Sequence, residues 1–238
     1  SIFIFLMSLF VAYIFSNHQS EKLEKSIDVQ IEGTKIYVYS DIKDQFEIIQ
    51  RMASRWKEQS GLDEKNWRKD ASNYIKNTEG FDALMFISPN HVIKWIEKTN
   101  DLIFSEGMNL QNFDDILNRL NQAEASQKIE LSKPVNSMTG NYHVYLFKSV
   151  YTNEELAGFF MVRINTQEFF QKVLAHSEQA GFFTQINVDG SLIFNNDVSD
   201  EIGYYSKAFT INIDSDPEGI DFTIYPTEHI KQLYLTWI

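Results

Sequence analysis

An uncharged apolar run, SIFIFLMSLFVAYIF (Ser1 to Phe15), leads into a stretch from Glu21 to Trp56 that no proline interrupts. In that stretch Ile27, Ile31, Thr34, Val38, Ile42, Phe46, Ile49, Met52, Ala53 and Trp56 recur at steps of mostly three and four, which is helical spacing. Gly61 is a stop signal. At 1.5 Å per residue such a helix extends on the order of 60 Å, longer than a compact domain needs. A helix that leaves a membrane and forms the spine of a domain outside it does need that length; the alternative is a helix kinked at Gly33. The apolar start is shorter than the roughly 20 residues of a full span. Read as part of a longer span, it makes residues 1–16 a truncated transmembrane helix and 17–60 a stalk. A cleaved signal peptide is the rival, but no small-x-small site follows Phe15. KQLYLTWI (Lys231 to Ile238) turns apolar and aromatic again, which predicts the start of a second membrane helix over 228–238.

Composition narrows the function. A net charge of −12 argues against a nucleic-acid groove, which needs clustered Lys and Arg. The absence of cysteine removes disulfides, zinc–thiolate sites and a Cys nucleophile. There is no Gly-rich phosphate loop, no nucleophile elbow and no HExxH, so no catalytic residues are assigned and the chain is not read as an enzyme. The five histidines (His18, His91, His143, His176 and His229) show no ligand spacing, so neither metal nor cofactor is expected. Asp214, Asp216, Glu218 and Gly219 imitate half a calcium loop. Tyr225 stands where the bidentate Glu belongs, and a solvated hairpin turn is the simpler reading.

The remaining elements follow from period and turn chemistry. Asp63 caps a helix whose Trp67, Ala71, Tyr74 and Ile75 share a face. GFDALMFISPNHVIKWIEK (Gly80 to Lys98) is two apolar runs, Ala83 to Ile87 and Val92 to Ile96, hinged on Ser88-Pro89-Asn90. A short helix through Phe113, Ile116, Leu117, Leu120 and Ala123 comes next. Three strand-like runs follow: Lys133 to Ser137, Tyr142 to Tyr151 and Ala157 to Ile164. Two strands, a loop and helix, then three strands is the order of a PAS-like sensor module. The pattern then repeats in shorter form: a helix over Gln167 to His176, a hairpin turned at Asp189-Gly190, and strands over Tyr204 to Ile213 and Ile220 to Tyr225. The expected architecture is α+β: a long N-terminal stalk helix carrying two PAS-like antiparallel-sheet modules, 61–166 distal and 167–227 proximal to the membrane, bracketed by truncated transmembrane helices.

The ordered series RMASRW (Arg51 to Trp56), W..DAS.YI (Trp67 to Ile75), GFDALMFISPNHVIKWIEKTN (Gly80 to Asn100), LSKPV (Leu131 to Val135), YHVYLFKSVY (Tyr142 to Tyr151) and AGFFMVRINTQEFF (Ala157 to Phe170) resembles bacterial CHASE-type extracytoplasmic sensor domains of diguanylate cyclases and histidine kinases. It departs from that pattern at Lys98 and at Ser149-Val150, where prolines are common. The resemblance implies a distal module that takes a small molecule and a proximal module that relays the signal. The amine- and amino-acid-binding double-Cache receptors carry a Tyr, Arg, Trp and Asp set that is not traceable in this sequence, so no ligand class is carried over.

Both long strands are apolar or aromatic on both faces, so the distal sheet is expected to be covered on both sides. The stalk would cover one face, and a ligand pocket would lie on the other. Lys94, Trp95, His143, Tyr145 and Arg163 are the candidate ligand-binding residues, with ordinary core and edge roles as the alternative. The partners expected are an unknown small molecule, the membrane at both termini and a second copy through the long helix, with no nucleic acid. The expected location is the cell inner membrane, with the domain periplasmic. A chemoreceptor ectodomain and a membrane-anchored binding module without signalling output are the other readings.

Overall fold

The computed structural model describes residues 2–58, 61, 63–99, 102–137, 140–188, 190–196, 205–213 and 216–235. Helix α1 spans Ile2–Glu58, 57 residues in one piece, and passes Gly33 unbroken. Its buried stripe includes Leu23, Ile27, Ile31, Val38, Ile49 and Trp56, the spacing seen in the sequence. From Phe3 to Phe15 its large apolar side chains are exposed. Among the described residues, α1 is the one helix long and apolar enough to cross a membrane. Helix α2 (Glu64–Asn77) starts at the predicted cap: the Asp63 carboxylate accepts from the Asn66 N–H at 2.9 Å, satisfying one of the orphan donors of the first turn.

Strands β1 (Phe81–Ile87) and β2 (Ile93–Lys98) form the expected hairpin. Helix α3 (Asp114–Ser126) follows, then β3 (Ile129–Leu131), β4 (Val135–Asn136), β5 (Tyr142–Thr152) and β6 (Glu155–Asn165). Of the strand expected over Lys133 to Ser137 only β4 forms, after Pro134, which has no N–H for the ladder, and β3 before it was not expected. The six strands make one antiparallel sheet in the order β2-β1-β6-β5-β3, with β4 also on β5. Thus β1 is central and wholly buried, whereas β2 is an edge strand. That edge is closed by the loop after it: the Ile93 N–H donates to Met108 O and the Gly107 N–H to Ile93 O.

Helices α4 (Thr166–Val173) and α5 (Ala175–Gln179) stand where one connecting helix was expected. Asn165 caps α4, accepting from the N–H groups of Gln167 and Glu168. Strands β7 (Phe182–Val188), β8 (Ser191–Asn195), β9 (Lys207–Ile213) and β10 (Asp216–Pro226) form a second antiparallel sheet in the order β8-β7-β10-β9. Asp189 of the predicted turn, and Asp214 and Ser215 of the calcium-like segment, lie outside the described residues. Helix α6 (Glu228–Leu235) packs Ile230 and Tyr234 beside Leu23 and Ile27 of α1. The second membrane span expected from 228 onward is described only over these eight residues.

The first sheet divides two cores. Its back face (Leu84, Phe86, Leu146, Phe160, Val162) packs on α1 and α2, and this core continues through Phe169 and Phe170 to the second sheet. Its front face (Ala83, Met85, Tyr145, Phe147, Phe159, Met161) packs under α3 and the loop carrying Phe104 and Leu110. Gly158 lets β6 lie against β1. A Cβ there would meet the Ile87 carbonyl oxygen at 2.2 Å and the Phe86 ring at 2.9 Å, and its φ of +149° disfavours any L side chain. Gly158→Ala is expected to lower stability by about 2–4 kcal/mol, read from the urea midpoint at unchanged m-value.

Candidate functional site

Four polar side chains meet at one end of the front face. Tyr145 on β5 and Arg163 on β6 are direct cross-strand partners. Direct partners project on the same side, so the two share a face. His143 lies two residues before Tyr145 and projects the same way. The fourth member, Asp82, was not among the sequence candidates. It is the extra residue of a β-bulge: Phe81 pairs with Ile164 and Ala83 with Arg163, leaving Asp82 unopposed. Simple alternation would send Asp82 to the back with Leu84; the bulge re-aims it. Its signal in the sequence is a lone carboxylate in the apolar run FDALMFI, a charge the strand buries.

Asp82 is 1% exposed. Its Oδ1 accepts from Arg163 Nε at 2.6 Å, and its Oδ2 lies 3.3 Å from His143 Nε2. Arg163 and His143 are themselves buried. The Tyr145 phenol is within hydrogen-bonding reach of Arg163. Burial raises the Tyr145 pKa above its ordinary 10.0 against the pull of the guanidinium, so the phenol stays a neutral donor–acceptor near pH 7. Phe104, from the covering loop, sits edge-on to Tyr145 with ring centroids 5.9 Å apart. The arrangement is a hydrogen-bonding and charged cluster under an aromatic roof, able to anchor a small polar molecule if the roof lifts. Among the described residues no group of His, Cys, Asp or Glu is arranged to hold a metal.

The structure brings three of the five sequence candidates together: His143, Tyr145 and Arg163. The other two stand apart. Trp95 is half-buried on the back face, stacked on Phe86 at 4.9 Å and tilted against Trp56 and Trp67. Lys94 is exposed at a second bulge: Phe86 pairs with Trp95 and Ile87 with Ile93, so Lys94 is the extra residue of an edge strand. The pairing of Trp95 with Phe86 puts it on the back face, and the one-residue irregularity in β2 leaves Lys94 without an opposite partner.

The roof is fastened from outside. Glu106 of the covering loop accepts from the Ile96 N–H at 2.9 Å and from Arg68 Nη2 of α2 at 2.6 Å. Arg68 also reaches the Ile96 carbonyl, Glu64 and Glu97. Partial burial raises the Glu106 pKa, but the bonds from Arg68 and Ile96 outweigh it and hold the carboxyl below the ordinary 4.5. A depressed carboxyl contributes stability above its unfolded pKa and loses it as pH falls through the folded one. The melting temperature is therefore expected to fall more steeply below about pH 4.5 in the native chain than in Glu106→Gln.

No protein-family model and no curated protein matches the sequence. Solved structures do. The ligand-binding domain of the Campylobacter jejuni chemoreceptor Tlp3, in complex with L-valine, is 11% identical at a TM-score of 0.63, covering 92% of this chain and 98% of that one. The ligand-binding domain of the Pseudomonas aeruginosa amino-acid chemoreceptor PctC, in complex with GABA, is 10% identical at a TM-score of 0.57, over 84% of this chain and 98% of that one. An extracellular ligand-binding receptor from Desulfohalobium retbaense is 11% identical at a TM-score of 0.62; 82% of this chain matches, spanning 39% of that one. What these structures share with this chain is the fold. They do not single out the CHASE type that the sequence resembles.

Proposed function

We propose that the chain is the extracytoplasmic ligand-sensing part of a bacterial transmembrane receptor. On this reading the apolar start of α1 holds it in the inner membrane, residues 61–166 form the distal sensing module, and 167–227 the proximal relay. The observation that supports it most is the buried Asp82–Arg163–His143–Tyr145 cluster beneath the loop and α3, in a fold whose solved examples are sensory domains. The ligand class we infer is an amino acid or a close relative. Such a molecule offers both a carboxylate for Arg163 and Tyr145 and an amine for Asp82, and the Tlp3 and PctC domains are complexed with L-valine and GABA. Binding would bias two arrangements of roof and sheet, and α1, packed along the back face, would carry the difference toward the membrane. A second copy packed through the exposed side of α1 completes the proposed receptor.

Two outputs are open to such a domain. The sequence resemblance favours a diguanylate cyclase or histidine kinase; the structural neighbours favour a chemoreceptor. The test of sensing is a thermal-shift screen of the amino acids and GABA. A ligand at one hundred times its Kd is expected to raise the melting temperature by about 5–10 °C. Tyr145→Phe is expected to weaken that ligand by about 1.5–3 kcal/mol while leaving the ligand-free melting temperature near native. A panel without any stabiliser contradicts the proposed ligand class.

A further inference from the structure

A different part of the molecule holds a polar recess. Between the distal end of α1 and strand β5 lies a cleft of about 460 Å³, lined by Gln50, Ser54 and Lys57 of α1 with Gln127, Lys148 and Glu154. Lys148 is buried, although long cations are rarely buried without a carboxylate. Among the described residues its ammonium has no acidic partner; it donates to the Gln127 carbonyl. Burial lowers its pKa from the ordinary 10.5, the mark of a cation whose charge is incompletely compensated. Lys57 is exposed at the rim and also has no ion pair among the described residues. The recess continues along α1 into a groove of about 360 Å³ that shares Gln50 and Gln127 and adds Lys43, Glu47 and Lys128, with Lys43 4.0 Å from Glu47. Within a chain of net charge −12, this is a local gathering of cations.

We propose that this cleft binds a small organic or inorganic oxyanion, a carboxylate or a phosphate, with Lys148 and Lys57 as its cationic contacts and Gln50 and Ser54 as hydrogen-bond donors. The lining carries two lysines against one glutamate, and no arginine. It therefore suits a compact anion held by point charges rather than a planar group held by a guanidinium fork. The site is linked to the front face through one residue. Gln127, in the left-handed conformation at φ 55°, ends α3, and its carbonyl takes the Lys148 ammonium. An anion drawing that ammonium into the cleft competes with the last turn of the helix that roofs the polar cluster. The inference does not depend on the front face binding anything.

The test is thermal melting of the full chain in detergent micelles, titrated with inorganic phosphate and separately with succinate, at ionic strength held constant with sodium chloride. A saturable rise is expected for at least one of the two. A rise with phosphate alone assigns the site to phosphoryl groups, and a rise with succinate alone assigns it to carboxylates. Lys57→Glu is expected to weaken the anion at least about tenfold without moving the anion-free melting temperature, because Lys57 is exposed. Tyr145→Phe is expected to leave the response unchanged, which separates this site from the front face. The proposal is overturned if neither anion gives a saturable shift, or if Lys57→Glu responds as the native chain does.

Discussion

Replacing Asp82 with Ala is expected to lower stability by about 3–5 kcal/mol, and Arg163→Ala by a similar amount. Each leaves a buried charge without its partner, and such losses are larger than the net worth of the pair. The ion pair is 2.6 Å long and both residues are almost wholly buried. The signature that separates this from a packing defect is the double variant. Asp82→Leu with Arg163→Met removes both charges at similar volume and is expected to be far less damaging than the sum of the single losses. Urea unfolding of the native chain, Asp82→Leu, Arg163→Met and the double variant measures this. Additive losses would mean that the pair does not act as one unit. For the same reason Arg163→Ala is a poor probe of ligand binding and Tyr145→Phe a better one.

Trp56→Ala carries the second large effect, about 3–5 kcal/mol for a buried aromatic. Trp56 ends the buried stripe of α1. Its ring stacks on Phe86 at 4.5 Å and meets Phe160 edge-on at 5.6 Å. Its indole N–H donates to Thr152 at 3.1 Å. The substitution detaches the distal end of the long helix from the back of the first sheet, so thermal unfolding is expected to begin there. Trp95→Ala, on the half-buried edge strand, is expected to cost about 1–2 kcal/mol. A Trp95 loss equal to that of Trp56 would contradict the edge placement of β2.

These contrasts show where sequence reading succeeds. Helical spacing over Glu21 to Trp56 is a sum over many residues, and it survives in α1 without a break. Asp63 announces its helix because capping is local. The alternation of β5 and β6 predicts two covered faces, and both cores are present. What counting along the chain misses are the two bulges that flank β1 in its pairings with β2 and β6. Each inserts one residue, at Asp82 and at Lys94, and each changes which side chains share a face. Nothing local marks them, because a bulge is defined by the partner strand. Register hid the remaining relation: that Tyr145 and Arg163 stand opposite one another follows from the β5–β6 pairing alone. The carboxylate of Asp82 was legible in kind, as a charge within an apolar strand, but not in direction.

The proposed sensing site is the front-face cluster with its roof. Amide hydrogen exchange of the full chain, with and without the amino acid that stabilises it most, tests this directly. The expected result is added protection in residues 102–126 and at the ends of β1, β5 and β6 around Asp82, His143, Tyr145 and Arg163, absent in Tyr145→Phe at the same ligand concentration. Protection confined to the second sheet, or equal in the native chain and Tyr145→Phe, would contradict it.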